Sequence, residues 1–306
     1  MFDIDIHLSE EDARNSKLIL NKKLNIEDIH QIKNQIIQFT EDPTWFVSSN
    51  KISRVGLFTR LKNILKNVIQ DSKKIASGKI KNDQTHSKEL YETLALSACE
   101  FSDMANQHFV LNQGKLASTS VYRMRSEFSK RAIEAIHQVD AKSIIEFGCG
   151  EGLLLYCILI LDEKFLDQRE WVGFDFSLVR AVRAKILFET LNKTKNERIM
   201  IYNGDGKNVI HQDKEFDVAT CCMVIEQLKY DKHEFLREMG RVAKYSIIQE
   251  PLYLHQTKRG RIHFKRHDYV ELDLKDIEKI GKIVDVKHYD LNDPTYALST
   301  LIVENY

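Results

Sequence analysis

Apolar positions along the chain change their period near residue 120. In the first part they recur every three or four residues: Ile26, Ile29, Ile32 and Ile36 form one stripe, and Leu57, Leu61, Ile64, Leu65 and Val68 form another. That spacing predicts amphipathic helices, with the Ile26 stripe serving as core packing. Residues 88–101 share the period, while 50–56, 77–85 and 112–120 are polar stretches expected to connect elements. Beyond Val121, short apolar runs alternate with helical patterns. Strands are expected over 143–147, 171–174, 198–202, 216–222 and 245–249, with helices over 125–139, 153–160 and 180–191. This alternation predicts an α/β fold, a mainly parallel sheet covered by helices. The tail departs from it. Residues 274–280 read as a helix, followed by strands over 282–289 and 296–304 that are joined through Asn292, Asp293 and Pro294. The sheet should therefore end in an antiparallel pair. The chain divides into a helical N-terminal region, 1–115, and an α/β core, 116–306.

Within the core, the run IIEFGCGEG at 144–152 reads as a buried strand breaking into a glycine turn. Glycines at 148 and 150 remove Cβ atoms where the chain turns tightly and a ligand approaches the backbone. The helix expected from Leu153 onward would aim its first amides at that ligand. Such a turn suits an adenosine-bearing cofactor, although ordinary strand-to-helix turns use glycine too. Asp175 closes the next strand, at the distance expected of an acid that accepts ribose hydroxyls. Its other reading, shared with Ser177, is a cap for the helix beginning near Leu178.

Composition narrows the function classes. The length of 306 residues permits one large or two ordinary domains with a full core. With 45 basic and 45 acidic residues, global charge gives no reason to expect a nucleic-acid binder. The sign is uneven, however: residues 51–81 carry nine Lys or Arg and one acid, and residues 255–267 carry five and none. The five cysteines, at 99, 149, 157, 221 and 222, have neither paired nor zinc-knuckle spacing, which suits small buried hydrophobes in a reducing compartment. No uninterrupted apolar segment reaches membrane-spanning length, and the first residues do not resemble a secretion signal. Cytoplasmic residence without a membrane partner is expected; no oligomeric state follows from the pattern.

Four motifs occur in order: IIEFGCGEG at 144–152, VGFDFS at 172–177, NGDG at 203–206 and FDVATCCMVIEQL at 216–228. Together they resemble the class I S-adenosylmethionine-dependent methyltransferases, in the broad group of small-molecule and RNA enzymes with a Rossmann-like core. The resemblance covers residues 120–306, and the first 115 match nothing in it. It implies a seven-stranded sheet with the antiparallel C-terminal pair and S-adenosylmethionine as cofactor. By the same resemblance, Glu146 with Gly148 and Gly150 would hold the amino-acid part of the cofactor, and Asp175 both ribose hydroxyls. Asp205, beside Gly206, would contact the adenine amino group; its alternative is to close a turn with Gly204 and Gly206. Phe176 would lie against the adenine or pack in the core. Cys221, Cys222 and Met223 would line the floor where the methyl group emerges. Arg123 or Arg125 would pair with the methionyl carboxylate, or else mark a solvated helix start.

No metal is expected. In RNA-end ribose methyltransferases a similar segment carries glutamate and histidine ligands, whereas here Met223 and Gln227 stand at two of those places. The remaining acid, Glu226, suits a helix start better than catalysis. Acceptor-binding loops of such folds leave the carboxyl ends of the strands, which points to residues 249–274. His255, His263 and His267 are candidate general bases there, because imidazole titrates near neutrality. Lys258, Arg259, Arg261, Lys265 and Arg266 would bind a phosphate or carboxylate of the acceptor, or simply serve solubility. Residues 1–115 would form a lid or side wall that selects the acceptor. The expected reaction is in-line O- or N-methylation of a small molecule. The alternatives are methylation of RNA or a peptide through the two basic tracts, and a noncatalytic methyltransferase-like scaffold.

Overall fold

The structure, a computed structural model, describes residues 47–48, 107–112, 115–191, 198–252, 261, 264–265, 269–288 and 298–306. The helical stripes expected at Ile26 and Leu57 lie outside these residues. Among the described residues three strands precede the core, β1 (Val47–Ser48), β2 (Gln107–Asn112) and β3 (Lys115–Ser120), an antiparallel sheet in the order β1-β3-β2. Residues 112–120, expected as a polar connector, are thus mostly a strand. Pairing along the whole of β2 satisfies the backbone of β3, and a strand needs no apolar side chains for that. Asn112 pairs with Lys115 at the end of the ladder, and the glycine at 114 is the turn signal that the polar reading of this stretch passes over.

The core runs α1 (Val121–Gln138), β4 (Ser143–Phe147), α2 (Leu153–Leu161), β5 (Glu170–Asp175), α3 (Leu178–Leu191), β6 (Ile199–Asn203), β7 (Phe216–Cys222), α4 (Lys232–Val242), β8 (Ala243–Pro251), α5 (Leu274–Glu278), β9 (Gly281–His288) and β10 (Leu298–Asn305). The expected strands are all present, with ends shifted by at most two residues. The helix α4 was not anticipated, although Phe235, Leu236, Met239 and Val242 carry its period and are buried. The seven-stranded sheet has the order β6-β5-β4-β7-β8-β10-β9. β4 to β8 pair in parallel, and β10 lies antiparallel between β8 and β9, as the tail pattern predicted.

Alternation along each strand sends side chains to two separate cores. Ile144, Trp171, Val218 and Ile247 pack under α1, α2 and α3, while Ile145, Val172, Ala219 and Ile248 pack under α4 and α5. Burial on both faces explains the near-continuous apolar strands. From β4 the chain builds outward to β5 and β6, then returns to β7 on the other side of β4. That reversal opens a crevice beyond the carboxyl ends of β4 and β7, the usual ligand position in such sheets.

The opposite edge of the sheet is stapled. One carboxylate oxygen of Asp217 accepts the N–H groups of Lys142 at 2.9 Å and Ser143 at 3.1 Å, and the other accepts Lys244 Nζ at 2.8 Å. Burial works against the ionised form, but Lys244 and the two amides outweigh it and hold the pKa down at about 2. Among the described residues no helix is long and apolar enough to cross a membrane.

Candidate functional site

The crevice holds a cavity of about 470 Å³. One wall is the glycine turn after β4. Gly148, Gly150 and Gly152 have φ of 70°, 55° and 82°, the left-handed region that penalises a Cβ. At Gly148 a Cβ would also sit 2.7 Å from Val224 Cγ2, so the turn and the segment after β7 meet only because no side chain intervenes. Glu146 lines the cavity just before the turn, buried, with its Oε2 accepting Trp171 Nε1 at 3.2 Å. Behind the turn, Glu151 pairs with Arg183 of α3 at 2.6 Å, both buried, which ties the turn to the neighbouring helix.

Of the two residues read as caps for α3, Ser177 makes the cap bond, its Oγ accepting Arg180 N at 3.3 Å, while Asp175 faces the cavity. It lines the cavity at the end of β5, only 4% exposed; its Oδ2 accepts Gly150 N and its Oδ1 accepts Ser177 N, each at 2.9 Å. The carboxylate therefore organises the glycine turn and the start of α3 together. Phe176 follows it on the cavity wall. Across from them, Asp205 and Gly206 line the cavity after β6. The Asp205 side chain is 57% exposed and its Oδ1 accepts Lys207 N at 3.0 Å, the turn-closing arrangement. Lys207 then reaches Asp231 at the start of α4, with Nζ 3.1 Å from Oδ2.

The third wall is the segment leaving β7. Cys222, Met223, Val224, Glu226 and Gln227 line the cavity. Cys221 does not, because strand alternation turns it into the core beneath α4, where burial raises its thiol pKa. Glu226 is buried at the cavity surface, and its backbone carbonyl accepts Val270 N at 2.7 Å. That bond delivers the adjacent Tyr269 to the cavity, a residue the sequence did not single out. Behind this segment lies Glu250, fully buried next to Gln249 at the end of β8. Burial pushes its carboxyl up to about 7, and the amides of Ile225, Val224 and Glu226 offset that only in part.

Several expected residues fall elsewhere. His255, His263 and His267 lie outside the described residues, as does the 51–81 tract and most of 255–267. Arg123 occupies the first turn of α1, with its side chain outside the description. Among the described residues no group of three His, Cys, Asp or Glu is arranged to hold a metal ion.

The turn, the acid after β5 and the cavity at the switch point fit an adenosine cofactor carrying a cationic centre, since Glu146, Asp175 and Glu226 all face the same space. Comparison with known proteins identifies the family and the fold. A family described as a methyltransferase domain matches residues 121–278. The fold is similar to magnesium protoporphyrin IX methyltransferase (ChlM) from Synechocystis PCC 6803 with bound SAH, at 12% identity over 75% of this chain and all of that one, with a TM-score of 0.50. It is also similar to the [4+2]-cyclase SpnF, at 14% identity over 71% of this chain and 94% of that one, with a TM-score of 0.54. No curated protein sequence matches the chain. The family match spans more than half of the residues and coincides with the sheet, the glycine turn and the cavity, so the chain belongs to the class I S-adenosylmethionine-dependent methyltransferases.

Proposed function

We propose that this enzyme transfers the methyl group of S-adenosylmethionine, in line, to a nitrogen or oxygen of a small-molecule acceptor. The observation that carries the reading is a cavity of about 470 Å³ shared by the glycine turn, Asp175 and the Met223–Leu228 segment. Its volume lies in the range of small-molecule sites, roughly 300–1,000 Å³. When bound, the cofactor supplies a carbon that already carries a good leaving group.

The chain's own residues then have to bind, align and exclude water. Glu146 and the turn at Gly148 and Gly150 hold the amino-acid end, assisted by Arg123 from the first turn of α1. Asp175 accepts the ribose hydroxyls; a carboxylate has about four acceptor sites, so the amide bonds to Gly150 and Ser177 are compatible with that duty. Phe176, Asp205 and Gly206 flank the adenine. Cys222 and Met223 border the passage of the methyl group, and Gln227, Leu228 and Tyr269 face the acceptor. An acceptor that arrives protonated needs a base, and we assign that duty to His255, His263 or His267. Tyr269, two residues after His267 in the sequence, lines the cavity. To residues 1–115 we assign the selection of the acceptor, as a lid or side wall.

Calorimetric titration with S-adenosylmethionine tests the cofactor site, and formation of S-adenosylhomocysteine across a library of amines and alcohols tests the acceptor class. Absence of cofactor binding by folded protein would sink the whole reading. Retention of labelled RNA that weakens with salt, with no turnover of small molecules, would transfer the activity to RNA.

A further inference from the structure

Glu250, at the carboxyl end of β8, is fully buried and does not itself line the cavity. Its carboxylate faces the backbone of the segment leaving β7. Oε1 accepts Val224 N at 2.6 Å and Ile225 N at 2.8 Å, and Oε2 accepts Glu226 N at 3.4 Å. These are three consecutive amides at the start of a short 3₁₀ turn, Ile225–Gln227. Immediately before them, Met223 has φ of 59°, a left-handed conformation that residues with side chains seldom adopt. Such a residue persists where its surroundings over-determine it. Here Met223 N donates to Gln249 O at 3.0 Å, and Gln227 Nε2 donates to Met223 O at 2.8 Å. Two successive residues of β8, Gln249 and Glu250, thus grip the segment. Its side chains form the wall opposite the glycine turn, with Val224 seated over Gly148.

We infer that Glu250 is a positioning residue for the reaction: by accepting the three amides it fixes Met223–Gln227 against the glycine turn and sets the width of the cavity. The inference rests on the reading of that cavity as the S-adenosylmethionine site. A carboxylate suits the task because it only accepts, and both of its oxygens meet N–H groups. Glutamine keeps the reach and one acceptor oxygen, enough for the Val224 and Ile225 amides, but turns an NH₂ toward Glu226 N. Aspartate keeps the charge and withdraws it by about 1.5 Å, one C–C bond. If Glu250 merely filled space in the fold, substitution would lower thermal stability and leave the affinity of folded protein unchanged.

The test is calorimetric titration of S-adenosylhomocysteine into wild type, E250A, E250Q and E250D, each at a temperature where circular dichroism shows it folded. E250Q is expected to bind within about threefold of wild type, and E250A at least about tenfold more weakly, with E250D between them. Folded E250A with wild-type affinity would overturn the inference, as would E250D binding as well as E250Q. Should E250A fail to fold, the order of the Gln and Asp variants decides. A wild type that binds no S-adenosylhomocysteine would remove the cofactor site itself, and the inference with it.

Discussion

Two carboxylates at opposite edges of one sheet both accept backbone amides, and their pKa values shift in opposite directions. Asp217, at the start of β7, and Glu250, at the end of β8, each accept neighbouring backbone amides. Asp217 is partly open to water and paired with Lys244, and its pKa falls to about 2. Glu250 is fully buried, has no Lys or Arg partner among the described residues, and is pushed up to about 7. Desolvation outweighs the amides at Glu250, whereas at Asp217 Lys244 and the amides together outweigh desolvation. The amino edge of the sheet is thus built to hold strands together. The carboxyl edge keeps an acid whose burial is costly, because that acid shapes the wall of the cavity.

The largest consequence is in stability against pH. Glu250 has a folded pKa above its unfolded one, so the stabilisation linked to its proton is complete below about pH 4.5 and lost as pH rises through about 7. The unfolding free energy of wild type, measured relative to E250Q by denaturant titration, should fall by roughly 2–3 kcal/mol across that window. A flat difference would mean that the amides fully compensate the burial, and the contrast between the two edges would vanish.

Next in size is a substitution within the cavity. Asp175→Ala removes the acceptor proposed for the ribose hydroxyls and should weaken S-adenosylmethionine at least about thirtyfold, roughly 2 kcal/mol, in the range of hydrogen bonds to a charged group. The fold should survive, since the strands around Asp175 keep their ladder. Unchanged affinity would remove the ribose assignment and leave Asp175 only its role at the glycine turn and the start of α3.

This division also marks what the sequence could reveal. Strands buried on both faces write their position directly as apolar runs, so 143–147 and 216–222 were read with correct ends. The glycine turn and Asp175 were legible because tight turns and ribose-binding acids restrict residue type at fixed spacing. The β2–β3 hairpin was missed because backbone pairing alone makes a strand of polar residues. Glu250, Lys207 and Tyr269 were missed for another reason. Their roles arise from contacts across the fold, 24 to 44 residues apart in the cases of Glu250 with Glu226, Lys207 with Asp231 and Val270, beside Tyr269, with Glu226. No local spacing encodes such pairs.

At the amino edge a smaller effect is expected, of opposite sign in pH. Asp217 has a depressed folded pKa, so its contribution is present above about pH 4 and lost as pH falls toward 2. Because the side chain is 26% exposed, solvent screening reduces that contribution to about 1–2 kcal/mol. Asp217→Asn should lower the unfolding free energy at neutral pH by about that amount and abolish the acid-linked loss, with cofactor affinity unchanged. A shift in affinity would show that the two edges are coupled through β7.

The smallest effect separates exposure from location. Lys207 sits at the cavity rim between Asp205 and Asp231, but its side chain is 39% exposed, so its ion pairs are screened like any on the surface. Lys207→Met should change stability by less than about 1 kcal/mol. Its effect on S-adenosylmethionine affinity should stay within about threefold and shrink as salt is added. If Lys207→Met instead cost more stability than Asp217→Asn, the carboxyl edge would be held together by its rim charges, and the buried acid behind the wall would lose its claim to that task.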